Sequence, residues 1–308
     1  MHTRRSVSLS GTICLSRTCR PCHRRSGITV TEVLIAISII ALLLSLTIPG
    51  VQITRSSGRA LSCKNNLRQI GYAIQQYLAA HRQFPKATPS GSTFVALYPY
   101  LTGEQLKDPK TAVRPAVLVC PESVTIAAHP NGTCYAENRG ICHEPEGRMP
   151  FHSYPEFDGP ILHFFSGAII TPASIVDGLS NTACYAEILP LPHPNRKVFS
   201  EDHHSSRRCG NPNAQMALCE SFTYSETTYP LGRGKSWRFA APDHTGYVHV
   251  MPPNGKDCSF APVAASDHSG GVHSLLCDGS VKFVSNSIAA PMWHGFGSRN
   301  GKEVLLEF

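Results

Sequence analysis

"RRSGITVTEVLIAISIIALLLSLTIPG", residues 24–50, decides how the rest of the chain is read. The 21 residues from Ile28 to Ile48 hold one ionisable side chain, Glu32. As an α-helix they would span about 31 Å, close to the thickness of a bilayer's hydrocarbon core. A carboxylate left alone in that layer costs on the order of 3 kcal/mol, so Glu32 calls for a partner.

Upstream of this run, residues 1–27 contain six arginines (Arg4, Arg5, Arg17, Arg20, Arg24, Arg25) and no acid. Setting these six apart from the 28 basic residues leaves 22 against 21 acidic ones, so the formal charge of +7 belongs to the leader. A nearly neutral remainder lacks the basic footprint of a nucleic-acid binder, and no nucleic-acid partner is expected. Arginines before an apolar helix favour a cytoplasmic N-terminus, which puts everything after Gly50 on the far side of an inner membrane. A cleaved secretory signal fits less well, because "LTIPG" offers no small-x-small cleavage site. A twin-arginine signal at "TRRSVS" is disfavoured by the polar residues that follow it.

The motif "SGITVTEVLIAISIIALLL" resembles the start of a type IV prepilin or pseudopilin. The resemblance aligns Gly27 with the last leader residue, and Ile28, Thr29 and Glu32 with mature positions one, two and five. Pro49 falls where pilin helices commonly carry a proline. This implies cleavage after Gly27 and N-methylation of Ile28 by a prepilin peptidase. Glu32 would then pair with the new amine of its own chain or of a neighbouring subunit, and a paired charge is tolerable in low dielectric.

Beyond Pro49 the helix is expected to continue, bent by the proline. Leu67, Ile70, Ile74, Tyr77 and Leu78 recur at helical spacing, and "HRQFPKATPSGS" ends the helix with two prolines and a glycine. The remainder, with its many Gly and Pro, reads as β-rich and loop-rich. "RPAVLVCPES", "GAIITPAS", "NTACYAEILP" and "GYVHVMPP" are short runs of strand character between turn residues. In "VHSLLCDGSVKFV" two strands flank Asp278-Gly279, a pair suited to a tight hairpin turn. Asp177-Gly178 is expected to make a second turn. Residues 190–234, polar, His-rich and weakly periodic, read as long loops or an insertion. The expected fold is α+β: leader 1–27, membrane helix 28–48, spine helix 49–81, and a β-rich exported domain 82–308.

A second resemblance covers nearly all the mature chain. "CKNNLRQIGYAIQQY" (63–77), "DGLSNTACYAE" (177–187) and "HSGGVHSLLCDGSVKFV" (268–284) are similar to the prepilin-type, processing-associated family with a C-terminal H-x9-DG motif, a domain of unknown function. His268 and Asp278 have nine residues between them, and Gly279 follows. "CPES" at Cys120 and "PPN" at Pro252 fit the same pattern more weakly. The resemblance implies a single-pass membrane protein and supplies no reaction.

A chemical pairing of His268 with Asp278 is disfavoured, since an intervening strand would separate them by over about 15 Å. Asp177, Gly178, His268, Asp278 and Gly279 are therefore read as structural, with His268 tying its loop to another part of the body. "EDHHSSRRC" (201–209) lacks the paired spacings of a zinc site. No H-E-x-x-H, G-x-S-x-G, P-loop or dinucleotide motif is present. No catalytic residue, metal ligand or cofactor is assigned; calcium, which some pseudopilins hold in a C-terminal loop, stays open without ligands.

Three of twelve cysteines lie in the leader, and the odd nine remaining face a disulfide-permissive compartment. Cys134 with Cys142, and Cys209 with Cys219, are close enough for local bridges, although spacing does not fix connectivity. The expected function is a non-enzymatic pseudopilin-like subunit of a type II secretion or type IV pilus-like system. Its partners would be the prepilin peptidase, other pilin-like subunits and inner-membrane lipid. The alternative is a tethered periplasmic binding protein or hydrolase that uses the prepilin segment only as an anchor.

Overall fold

The computed structural model describes residues 27–88, 91–143, 156–161, 168–191, 193–194, 198–199, 211–221, 232–239, 242–258 and 262–301. One helix, α1 (Val30–His81), covers both the membrane segment and the spine. The chain divides into an N-terminal unit ending at Val51 and a body from Gln52 onward. In the first unit the apolar side chains are uncovered, with Ile35 59% and Leu42 63% exposed, and the helix is a candidate membrane anchor by length and composition. At its start Glu32 Oε2 accepts hydrogen bonds from the Thr29 amide (2.8 Å) and the Thr29 hydroxyl (2.9 Å).

In the body, α2 (Thr93–Thr102), α3 (Pro212–Ser221), α4 (Pro242–Thr245) and α5 (Ala290–Gly297) accompany nine strands among the described residues. These are β1 (Tyr135–Asn138), β2 (Cys142–His143), β3 (Glu156–Phe157), β4 (Ala183–Glu187), β5 (Val198–Phe199), β6 (Gly246–Tyr247), β7 (Asp257–Cys258), β8 (Gly271–Leu276) and β9 (Val281–Ser285). Five of them form one mixed sheet in the order β6-β1-β4-β8-β9, antiparallel except for the β1–β6 pair. The fold is α+β, with a long N-terminal helix packed on this sheet.

Successive strand residues point to opposite faces, and here both faces are covered. Tyr135, Tyr185 and Leu275 join Leu67, Ile70 and Ile74 of α1, Phe94 and Leu97 of α2, and Trp237. Their neighbours Ala136, Ala186 and Leu276 join Trp293 and Phe296 of α5. Leu67, Ile70 and Ile74 are buried as their spacing predicts, while Tyr77 and Leu78 are partly covered. Helix and sheet touch closely at Gly71, where an added Cβ would lie 2.9 Å from Leu275 Cδ1. Gln75 Nε2 donates to the Cys277 carbonyl at 3.1 Å, fastening the helix to the same hairpin.

Several expectations are corrected. "RPAVLVCPES" forms a 3-10 turn at Ala116–Leu118, and "GAIITPAS" one at Pro172–Ser174, because their prolines remove ladder donors. Within 190–234 the chain makes helix α3, hidden from a periodicity reading because only Gln215 and Cys219 are buried on it. Cys134 is not bridged to Cys142: it is a buried free thiol that burial pushes up to about 11. The bridge is instead Cys63–Cys120, across 57 residues. Cys219 is disulfide-bonded, with its partner side chain outside the described residues. The leader before Gly27 and residues 201–209 also lie outside them.

Candidate functional site

β4 ends at Glu187, whose side chain falls on the face of the sheet turned toward α1, the same face as Tyr185. Its register partner on β1 is Tyr135. From β8, His273 lies two residues before Leu275 and so reaches the same face. The His273 amide donates to Glu187 Oε2 at 2.7 Å, and its Nδ1 lies 3.2 Å from Oε1. His268, in the loop before β8, places Nε2 at 3.1 Å from that same Oε1. Glu187 is thus a buried carboxylate held between two imidazoles.

The loop carrying His268 is built to hold this position. Ser266 Oγ accepts the His268 amide at 3.2 Å and donates to the Gly271 carbonyl at 2.7 Å. Asp267 turns the other way, meeting His193 Nε2 at 3.0 Å and accepting the Val124 amide at 3.2 Å. The Ala265 amide donates to the Glu187 carbonyl at 2.9 Å. Against this network lies the disulfide, with Cys120 Sγ 3.6 Å from His268 Nε2. One ligand-capable atom from each of Cys63, Cys120, Glu187 and His268 lies within 4.8 Å of the others, and all four residues are buried.

Burial works against charge on both Glu187 and His268, yet their mutual contact wins. The hydrogen bonds from His268 and His273 hold the Glu187 carboxyl below its usual range. The Glu187 hydrogen bond and charge, helped by Glu122 and Asp267, raise His268 above its usual value. A raised histidine stabilises the fold fully below its unfolded value of about 6.5, and that contribution is lost as pH rises through the folded value. The lowered Glu187 acts oppositely: its contribution is present above the unfolded carboxylate value and is lost as pH falls through the folded one. The unfolding midpoint should therefore fall as pH is raised above about 6.5, and His268→Asn should flatten that slope. Denaturant titrations of both proteins at a series of pH values measure it; identical slopes would contradict the assigned pair.

The motif residues do not converge on one another. Asp278 and Gly279 sit in the β8–β9 turn, where Gly279 has φ +92° and Asp278 Oδ1 accepts the Ser280 amide at 2.8 Å. Gly178 turns at φ +97°, and Asp177 Oδ2 accepts the Gly301 amide at 2.7 Å. His268 alone among them joins the Glu187 network, while Gly27, Ile28 and Glu32 lie in the N-terminal unit. Sequence reasoning did not single out Cys63, Cys120, Glu187 and His273. A signal was present: the fragments "CKNNLRQ", "CPES", "TACYAE" and "HSGGVH" each deliver a residue to this site.

A second buried carboxylate, Glu137 on β1, faces α2 and accepts from Arg139 Nη2 (2.7 Å), Thr93 Oγ1 (2.9 Å) and Thr245 Oγ1 (3.1 Å). Burial raises its pKa, the Arg139 charge opposing. It joins β1, α2 and α4.

A family model described as "Protein of unknown function (DUF1559)" matches residues 52–108 and 98–290. No curated protein and no solved structure matches the chain.

Proposed function

The chain belongs to this DUF1559 family of proteins of unknown function, and from that premise we propose that it is a non-enzymatic, pseudopilin-like subunit of a type II secretion or type IV pilus-like system. It is held in the inner membrane by residues 28–48, with its body outside the cytoplasm. One observation carries the reading: an apolar helical segment whose side chains no other described residue of its unit covers, with one carboxylate placed at its start. In the uncleaved chain that carboxylate is satisfied by Thr29. Cleavage after Gly27 would create an amine three residues before Thr31 and within a turn of Glu32, replacing a neutral donor with a charged one. A charged partner is worth more in low dielectric, and the same amine on a neighbouring subunit would give a register for helix packing.

Cross-linking the full-length protein to other pilin-like subunits in native membranes tests this. Glu32→Ala should leave the helix in the membrane and sharply reduce co-assembly. Equal cross-linking of both proteins would remove the assembly role.

A further inference from the structure

We propose that Cys63, Cys120, His268 and Glu187 form a zinc(II) site that opens when the Cys63–Cys120 disulfide is reduced, so that bridge and metal exclude one another. This goes beyond the pseudopilin reading and does not depend on it. Two sulfurs, an imidazole nitrogen and a carboxylate oxygen make a four-donor set suited to tetrahedral zinc. They come from four separate places, α1, the loop after Ala116–Leu118, the end of β4 and the loop before β8, and converge within 4.8 Å. A disulfide clamp between α1 and its neighbouring loop needs only the two cysteines. It does not need an imidazole nitrogen 3.6 Å from its sulfur, or a buried carboxylate beside that imidazole.

Part of the shell behind the donors is in place, on Glu187 and on the backbone of the His268 loop. Glu187 Oε2 is occupied by the His273 amide at 2.7 Å, which leaves Oε1, shared by His268 Nε2 at 3.1 Å and His273 Nδ1 at 3.2 Å, as the oxygen that can turn to a metal. The His268 loop is braced by Ser266 at 3.2 Å. Such outer hydrogen bonds orient ligands before the metal arrives. The adjustment required is local: with Zn–S bonds of about 2.3 Å at a tetrahedral angle, the two sulfurs separate to about 3.8 Å.

The chemistry balances with an external dithiol as reductant. One of its thiolates attacks Sγ of Cys120, the less buried residue of the two at 5% exposure against 0% for Cys63, and the Cys63 thiolate leaves. The reductant's second thiol then attacks the mixed disulfide and releases Cys120. Two electrons and two protons pass to the protein, and the reductant departs as a disulfide. Zinc binding next displaces two protons from the two thiols to solvent.

The test uses the full-length chain in detergent, oxidised or reduced with a dithiol that is then removed anaerobically. Each form is loaded with zinc alone, freed of excess and assayed for bound metal, and parallel samples are loaded with cobalt(II) for absorption. The reduced chain should hold about one zinc per chain and show thiolate-to-cobalt charge transfer, and the oxidised chain should hold at least about tenfold less. His268→Asn and Glu187→Gln should each weaken binding by on the order of a hundredfold. Equal zinc in the oxidised chain would overturn the proposal. So would zinc in the reduced chain that is indifferent to His268→Asn, which would mark capture by other thiols. A reduced chain that takes up no zinc, folded or unfolded, would overturn it as well.

Discussion

Replacing Cys63 and Cys120 together by alanine is expected to destabilise the body by about 4 kcal/mol, measured by denaturation of the full chain in chelator. The bridge joins α1 to the segment leading into β1 and closes a loop with a sequence separation of 57. In the chain-entropy account such a loop restricts the unfolded state by about 4 kcal/mol. For a body of this size that corresponds to a midpoint lower by roughly 8–16 °C. Both sulfurs are buried beside Leu67, Leu118 and Tyr135, so alanine also leaves space in the core. A loss below about 1 kcal/mol would mean that α1 is held by its apolar face and by side-chain hydrogen bonds such as those of Asn66 and Gln75.

The second large effect is expected from Glu187→Ala, at about 3–5 kcal/mol. The variant strips the buried His273 amide of its acceptor and leaves two buried imidazoles without their carboxylate. An unsatisfied buried donor alone costs about 1–3 kcal/mol. Glu187→Gln keeps an acceptor for the amide and should recover part of the loss. Because Cys120, His268 and Glu187 touch in series, combining these variants should give less than the sum of the single effects. Equal stability of Glu187→Ala and the parent in denaturant titrations would contradict the role given to the network.

The elements legible in the sequence carry one periodicity and clear punctuation. The α1 face of Leu67, Ile70 and Ile74 repeats at helical spacing, and Asp278-Gly279 marks the turn between two apolar runs. The sheet interior was less legible because it is covered on both faces. β4 reads "ACYAE" with every residue buried, so hydrophobic alternation is lost and Glu187 looks like any strand-end carboxylate. The bridge escaped for a different reason. Cys63 belongs to a helix and Cys120 to a proline-flanked turn, and only the packing of α1 on the sheet brings them together. Sequence proximity pointed instead to Cys134 and Cys142, yet Cys134 enters the core at the start of β1. The three described free thiols, Cys134, Cys184 and Cys277, are all buried, which is where unpaired cysteine behaves as a small apolar residue.

The central claim is that the helix beginning near Ile28 is the processed, pilin-like anchor of an exported body. The N-terminal mass of the protein isolated from its native host tests this most directly. The account predicts a chain that starts at N-methylated Ile28. A chain that still starts at Met1 would contradict it, leaving Glu32 with Thr29 as its partner and the helix as a plain signal anchor.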